Sequence, residues 1–196
     1  MKTLEVTNPF DRSHVGEVPV TGWDKVDGML ENASQAFLDK SQRLSVARRM
    51  EILERAAGIM QQRFDELALL IASEGGKPLI DARVEVTRAI DGLKLCQHQL
   101  THLTGSEIPM NLNAASAGRA AFTFREPIGP VVAISAFNHP LNLIVHQVAP
   151  AVAVGCPVIV KPADDTPLSA LAFVEIPHET GLPQHLIAPL IAPEKA

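Results

Sequence analysis

Two groups of polar residues follow two short apolar runs in the second half of the chain. Ser135 to Asn138 comes directly after Val131 to Ile134, and Lys161 to Asp165 comes after Val158 to Val160. The apolar runs are rich in β-branched residues, which predicts buried strands. If the strands are parallel, both polar groups leave the same edge of the sheet, where ligands bind in open α/β folds. An amide, an ammonium and two carboxylates would then face one crevice.

The segment between the two runs predicts the connection that makes the strands parallel. Leu141 to Val154 has the pattern of a largely buried helix, and Gly155 can end it. A strand, a helix and a second strand in this order form a βαβ unit.

The amino-terminal part predicts a hairpin followed by long helices. Strands are expected near Leu4 to Val6 and Gly16 to Val20, and Asp24 is expected to cap a helix that runs to about Leu38. An apolar stripe then predicts a helical stretch ending near Gly75; its members are Met50, Leu53, Ala57, Met60, Phe64, Leu67 and Ile71. The remaining expectations are a helix over about Leu79 to Leu103, a loop over Asn111 to Gly118 and a strand over Ala121 to Arg125.

Several short motifs, in order along the chain, resemble those of the aldehyde dehydrogenase superfamily. The family's P-x-G-V-V strand, P-W-N-F-P corner, G-N-x-V-V-x-K-P strand and T-P-L helix start correspond to Pro127 to Val132, Ala136 to Pro140, Gly155 to Ala163 and Thr166 to Leu168. Upstream, Glu74 to Pro78 resembles the family's E-x-G-K-P segment, and Asn8-Pro9 resembles its early turn. Ordered motifs are more specific than a single glycine pattern. The resemblance implies an α/β fold, namely an incomplete Rossmann-like, parallel-sheet domain that binds NAD.

The resemblance covers nearly the whole chain and implies one truncated cofactor-binding domain over residues 1–196. Its expected parts are an amino-terminal hairpin (1–22), a helical layer (23–119) and the first βαβ part of the nucleotide-binding sheet (120–196). Leu190-Ile191 is expected to start the next strand, and Pro177 to disturb the helix before it.

The resemblance also implies that the catalytic domain is absent. The family's nucleophilic cysteine and general-base glutamate would lie beyond Ala196. Cys96 has the spacing of a packed helical thiol, and Cys156 precedes the second strand, at the end opposite the crevice. Neither thiol is expected to attack a carbonyl held at the crevice, so we expect the isolated chain to be inactive.

Family reactions oxidise an aldehyde to an acid through a cysteine adduct and hydride transfer to NAD or NADP, and Asn138 matches the residue that stabilises the adduct. The resemblance implies that its side-chain amide donates a hydrogen bond to the developing oxyanion. Because asparagine also favours helix N-cap positions, the other interpretation is that Asn138 only caps the following helix.

Further residues match the family's cofactor site. Lys161 corresponds to the lysine that contacts the adenosine ribose, and Asp164 falls where a carboxylate accepts the ribose hydroxyls, which favours NAD over NADP. The rest of the implied cleft lining is Ile134, Ser135, Ala136, Phe137 and Pro162. The alternative for Asp164 and Asp165 is a solvated loop before a helix, where negative charge suits the helix dipole.

His139 stands where the family more often has phenylalanine, in the channel for the aldehyde. A polar ring there suggests an anionic aldehyde, and phosphonoacetaldehyde is one such substrate. Arg88 is the expected second cation, supplied from the long helix. In the competing interpretation, His139 only packs against the cleft and Arg88 pairs with Glu85 or Asp91 on its own helix.

Composition restricts the function classes. The 196 residues carry a net charge of −5, and no basic patch suggests nucleic-acid binding. No apolar run has the roughly 20 residues needed to span a bilayer, and no signal peptide is evident, so a cytoplasmic location is expected. His98 and His102 have the i, i+4 spacing of a metal pair, but a solvated helix face is the favoured interpretation and no metal is expected.

Two hypotheses remain for the whole chain. In the first, it is part of an aldehyde dehydrogenase and needs a complementing carboxyl-terminal half for turnover on a small-molecule aldehyde. In the second, it is a non-catalytic remnant that associates with itself or with an intact homologue through exposed apolar surfaces.

Overall fold

The structure is a computed structural model and describes residues 2–193. Residue 1, which begins the predicted unit 1–22, and residues 194–196, which end the predicted unit 120–196, lie outside the described residues. In chain order the helices and strands are β1 (Thr3–Thr7), β2 (His14–Pro19), α1 (Trp23–Leu38), α2 (Val46–Gln62), α3 (Phe64–Gly75), α4 (Leu79–Gln99), β3 (Glu107–Ile108), β4 (Ala121–Phe122), β5 (Val131–Ile134), α5 (Pro140–Val154), β6 (Val158–Lys161), α6 (Leu168–Glu179) and β7 (Ile187–Pro189).

Strands β5, β6 and β7 form a parallel sheet in that order. Val131 pairs with Val158 and Ile134 pairs with Lys161, while Ile187 pairs with Val158 from the other side. Helix α5 connects β5 to β6, and α6 connects β6 to β7. This arrangement confirms the predicted βαβ unit and the incomplete Rossmann-like α/β fold.

The ends of the helices follow local chemistry. Ser45 caps α2 by accepting a hydrogen bond from the backbone N–H of Arg48 at 3.2 Å. Pro140 occupies the first turn of α5, where its missing N–H costs no helical hydrogen bond. Gly155 ends α5 in the left-handed region at φ +88°, which a residue with a Cβ adopts only with strain.

One core joins the helical layer to the sheet. Apolar side chains from α2, α3 and α4 pack with those of β5, α5, β6 and α6 in a single cluster. Helix α4 packs along α5. The buried face of α4 therefore contacts the helix that begins directly after the first polar group, Ser135 to Asn138. Leu53, Ala57, Met60, Leu67 and Ile71 of the predicted stripe are buried in this core.

Three predicted boundaries before the parallel sheet were wrong. The cap residue of α1 is Gly22, and Asp24 lies inside the first turn, where its charge still suits the helix dipole. The apolar stripe is divided at Arg63, which leaves helical geometry between α2 and α3. The predicted helix over about Leu79 to Leu103 is confirmed, since α4 ends at Gln99 and a 3-10 turn over Leu100–His102 continues it. Strand β4 spans only Ala121–Phe122 and pairs with β3, not with the parallel sheet.

The expectation that Pro177 disturbs its helix was wrong, because α6 continues to Glu179. The proline removes one N–H only two residues before the helix ends, and its carbonyl accepts from Leu182 at 2.9 Å. The expected strand at Leu190-Ile191 was also placed too late. Strand β7 ends at Pro189, since Ile191 turns away to exchange hydrogen bonds with Thr21.

No helix in the described part of the chain is both long and apolar enough to cross a membrane.

Candidate functional site

The two polar corners predicted from the sequence lie together at one edge of the sheet. Because Ile134 pairs with Lys161 in parallel register, the chain leaves β5 and β6 at neighbouring points. The backbone N–H of Ser135 donates to the carbonyl of Lys161 at 3.0 Å, which joins the corners directly. The position agrees with the rule that ligands bind beyond the carboxyl ends of parallel strands.

A cavity of about 310 Å³ lies beside the first corner, between α4 and the start of α5. We call it the corner pocket; its lining residues are Lys77, Asp81, Val84, Glu85, Arg88, Asn138 and His139. Three of these residues, Arg88, Asn138 and His139, are predicted site residues from two distant parts of the sequence. The corner pocket therefore collects one amide, three basic side chains (Lys77, Arg88 and His139) and two carboxylates (Asp81 and Glu85) on one surface.

Glu85 organises this pocket from within the core, although its sequence context suggested only a helical ion pair with Arg88. Its side chain is fully buried. One carboxylate oxygen accepts from the backbone N–H groups of Leu141 and Asn142 at 2.9 and 3.1 Å. The other oxygen lies 2.6 Å from the ammonium of Lys77 and 3.4 Å from Nδ1 of His139. A charged residue on the apolar face of α4 was the signal that could have revealed it.

The interpretation of Asn138 as a helix cap was wrong. His139 occupies the N-cap position of α5, and the side-chain oxygen that satisfies the first N–H groups comes from Glu85. The proposed pairing of Arg88 was also wrong, because Glu85 binds Lys77 and His139. Among residues 2–193 no ion pair joins Arg88 to Asp91. The exposed side chain of Arg88 lies at the corner pocket.

A second buried carboxylate performs the same task one helix later. Glu74 accepts from the backbone N–H groups of Leu168 and Ser169 at 2.7 and 2.9 Å, at the start of α6. Burial raises the pKa of Glu74, and the hydrogen bonds from Ser169 and Leu168 partly oppose that rise. The Glu74 to Pro78 segment and α4 thus hold the starts of both helices that follow the polar corners.

The second corner is closed by an ion pair. The ammonium of Lys161 lies 2.9 Å from a carboxylate oxygen of Asp164 and 3.3 Å from the carbonyl of Pro162. Pro162 is buried, while Ile134 and Phe137 expose more than half of their surface at the same edge. Ser135 is buried and Ala136 is exposed. The predicted cofactor residues therefore form one continuous border of the sheet.

Neither cysteine lies at the corner pocket. Cys156 is buried and precedes β6, at the amino end of the strands and so opposite Asn138. It borders a larger, mainly apolar cavity of about 810 Å³. Cys96 lies on α4, and burial raises the pKa of its thiol, which disfavours the nucleophilic thiolate.

No group of three or more His, Cys, Asp or Glu residues within the described range could hold a metal ion. His98 and His102 lie on different elements, since α4 ends between them.

A parallel sheet with polar corners at its carboxyl edge is typical of α/β domains that bind ligands beyond the ends of their strands. The model of the aldehyde dehydrogenase family matches residues 1–196. The chain belongs to the aldehyde dehydrogenase family.

Known relatives extend the comparison. The chain is 35% identical over 181 residues to a 3-sulfolactaldehyde dehydrogenase of Priestia megaterium, a match that covers 92% of this chain and 37% of the relative. Aldehyde dehydrogenase 21 of Physcomitrella patens, solved with its product succinate, superposes with a TM-score of 0.93 at 36% identity, covering 99% of this chain and 40% of that one. A glyceraldehyde-3-phosphate dehydrogenase of Methanocaldococcus jannaschii, solved with NADP, gives a TM-score of 0.88 at 30% identity over 96% of this chain and 41% of that one.

This chain therefore spans about two fifths of the length of the relatives that it matches.

Proposed function

We propose that this chain supplies the oxyanion corner and much of the cofactor border of an NAD(P)-dependent oxidoreductase that converts an anionic aldehyde to a carboxylic acid. The observation that carries the proposal is the corner pocket, where Asn138 lies with His139 and Arg88 at the carboxyl edge of the parallel sheet. The family assignment supports the reaction type, and the basic side chains of Arg88 and His139 support the substrate class.

Asn138 is proposed to act on the reacting carbonyl. Its exposed side chain can donate an amide N–H to an oxygen in the corner pocket, where negative charge develops as the carbonyl is attacked. Removing one such donor typically lowers kcat by about 10²–10³. The bonds from Glu85 to Leu141 and Asn142 already satisfy the start of α5, so the amide of Asn138 is not needed as a cap.

Arg88 and His139 are proposed to bind the far end of the substrate. Arg88 is exposed at the rim, and His139 is held through Nδ1 beside Glu85, which keeps the imidazole facing the same pocket. A guanidinium binds sulfonate, phosphonate or carboxylate through charge-assisted hydrogen bonds. Relatives named for sulfolactaldehyde and glyceraldehyde 3-phosphate, and one solved with succinate, agree with an anionic substrate such as phosphonoacetaldehyde.

The cofactor is proposed to lie along the second corner and to accept a hydride from the substrate. Lys161 and Asp164 would bind the adenosine ribose; the rest of the border is Ile134, Ser135, Ala136, Phe137 and Pro162. The ion pair between Lys161 and Asp164 holds both side chains at the sheet edge, where each can exchange its partner for a ribose hydroxyl. A carboxylate at this position favours NAD, and NADP is the alternative cofactor.

The nucleophilic thiol and the general base are proposed to come from a complementing carboxyl-terminal half. Cys156 lies at the amino end of the strands, and Cys96 lies on α4 eight residues beyond Arg88, about 12 Å along the helix and outside the pocket lining. Neither thiol can attack a carbonyl beside Asn138. The chain alone is therefore expected to bind ligands without turnover. Two free cysteines agree with a cytoplasmic location.

A second candidate function is non-catalytic association with another copy or with an intact homologue. Strand β5 is an edge of the described sheet, and its Val132 and Ile134 are exposed, as are Phe122 and Phe124 around β4. Such edges and apolar patches pair readily with other chains. This role needs neither Asn138 nor Arg88, which separates it from the enzymatic proposal.

The proposal is tested by supplying a complementing carboxyl-terminal part from a relative. The chain is co-expressed with the part of the Priestia megaterium relative that follows the matched segment, and cofactor reduction is followed with sulfoacetaldehyde and with propanal. Arg88→Ala should raise KM for sulfoacetaldehyde by about 10-fold or more and leave propanal unchanged, since one charged hydrogen bond is lost. Arg83→Ala is the matched control, because Arg83 is exposed on the same helix and pairs with Asp65.

Turnover by the chain without any partner would contradict the assignment of the nucleophile to another part. An equal effect of Arg88→Ala on both aldehydes would contradict the anionic substrate class. Association that persists with no NAD binding and no complementation would favour the non-catalytic candidate.

A further inference from the structure

We infer that Lys77 is a positioning residue that fixes the geometry of the Asn138–His139 corner. This inference rests on the proposed function, because it concerns how the proposed oxyanion donor is held. Lys77 lies between α3 and α4, 61 positions before Asn138, and belongs to neither polar corner in sequence.

The ammonium of Lys77 has three donors, and the structure assigns two of them to fixed oxygens. One donates to the carboxylate of Glu85 at 2.6 Å, and another donates to the backbone carbonyl of Asn138. Nδ1 of His139 lies 3.5 Å away. Only 15% of the Lys77 side chain is exposed, so water cannot readily replace these contacts.

The bond to the Asn138 carbonyl matters because that carbonyl belongs to the peptide joining Asn138 to His139. Holding that oxygen restricts rotation of the planar peptide. The side chains of Asn138 and His139 leave the backbone on either side of this peptide, so its rotation would redirect both. Lys77 thus acts on both side chains without contacting a substrate.

Glu85 completes the clamp on the other side of the corner. Its second oxygen binds the N–H groups of Leu141 and Asn142, so the start of α5 is held by the same carboxylate that holds Lys77. Asn138 and His139 lie between these two anchors. A reacting group misplaced by about 1 Å can lower the rate by about 10²-fold. A clamp that prevents this displacement therefore preserves the rate.

A direct role for Lys77 as an anion ligand makes the opposite prediction for one variant. In Glu85→Gln the amide oxygen can still accept from Leu141 and Asn142, while the amide NH₂ faces the ammonium and releases it. A released ammonium would bind an anionic ligand more tightly if Lys77 were itself the ligand. If Lys77 positions the corner, the same variant binds the anion more weakly.

The test uses the 196-residue chain, isotope-labelled for NMR, with sulfoacetate as the anionic probe and acetate as the probe without a distal charge. Lys77→Met should shift the side-chain amide signals of Asn138 and speed hydrogen exchange at Leu141 and Asn142. Lys77→Met and Glu85→Gln should each weaken sulfoacetate binding by about tenfold. Lys77→Arg, which keeps the charge and donors, should restore most of the affinity.

Lys94→Met is the matched control, because Lys94 is exposed on α4 away from the corner pocket, and it should change none of these signals. Affinity for NAD should stay within about twofold in every variant, since the proposed cofactor corner is separate. If Lys77→Met loses the dispersed signals of the core, it has unfolded. The test then rests on Glu85→Gln and Lys77→Arg.

Unchanged Asn138 signals in Lys77→Met would overturn the inference, whether or not sulfoacetate binds. Tighter sulfoacetate binding by Glu85→Gln would overturn it in favour of direct anion binding. If the original chain binds no sulfoacetate while Lys77→Met still moves the Asn138 signals, the positioning role is supported and the anionic substrate class fails.

Discussion

Replacing Glu85 by alanine removes the one buried side chain that joins three parts of the corner pocket. The carboxylate holds the ammonium of Lys77 at 2.6 Å and the first N–H groups of α5 at 2.9 and 3.1 Å. In Glu85→Ala the charge of Lys77 stays in a mostly buried position without its counter-ion. The start of α5 also loses its only side-chain cap oxygen among the described residues.

The expected loss of unfolding free energy follows from these two effects. Removing one partner of a buried ion pair costs about 3–5 kcal/mol, because the other charge remains buried. Losing a cap adds about 1 kcal/mol. Lys77 keeps partial access to water, which lowers the first contribution, so we expect a total of about 3–5 kcal/mol. This is a large part of the roughly 5–15 kcal/mol that stabilises a typical domain.

Urea unfolding followed by circular dichroism measures this loss. Glu66→Ala is the matched control, because Glu66 also pairs with a cation, Arg63, but its side chain is 59% exposed. Exposed pairs contribute roughly 0–1 kcal/mol, so the control should be nearly neutral. A loss below about 1 kcal/mol for Glu85→Ala, equal to the control, would refute the claim that Glu85 holds the corner together.

Two further predictions concern stability. Gly155→Ala should cost about 1–2 kcal/mol, because φ is +88° and the new Cβ would meet Arg49 at 3.3 Å. Gly58→Ala, in the exposed middle of α2 with nothing within 4 Å, should instead stabilise by about 0.5–1 kcal/mol; equal effects in thermal unfolding would contradict this. Burial raises the pKa of Glu74 above its ordinary 4.5, so protonation removes the penalty of a buried charge. The original chain should therefore gain stability relative to Glu74→Gln as the pH falls from neutrality towards 4.5; a constant difference in urea titrations would speak against it.

The parallel sheet and its polar corners could be predicted because they depend on local patterns. β-branched runs predict the strands β5 and β6, and a helix between them requires parallel pairing. Parallel pairing alone places the segments after Ile134 and Lys161 at one edge. No long-range contact had to be known for this part of the site.

The clamp around Asn138 could not be predicted because it depends on packing between distant segments. In sequence, Glu85 resembles an ordinary helical carboxylate. Only the packing of α4 along α5 brings it to the N–H group that it caps, which lies 56 positions later in the chain. The sequence around Lys77 likewise does not reveal that its ammonium binds Glu85 and the carbonyl of Asn138. The expected cap at Asp24 failed because a carboxylate favours both the cap and the first turn. Strand β7 was misplaced because its limits follow from pairing with β6 and from the contact with Thr21.

The proposed function depends most on the cofactor-binding border around Lys161. The most direct measurement is calorimetry of NAD binding to the chain, to Lys161→Ala and to the exposed-lysine control Lys94→Ala. We predict saturable binding that Lys161→Ala weakens by about tenfold and that the control leaves unchanged, as expected for the loss of one charged hydrogen bond. The absence of saturable binding, or equal affinity in Lys161→Ala, would show that Lys161 does not bind the cofactor.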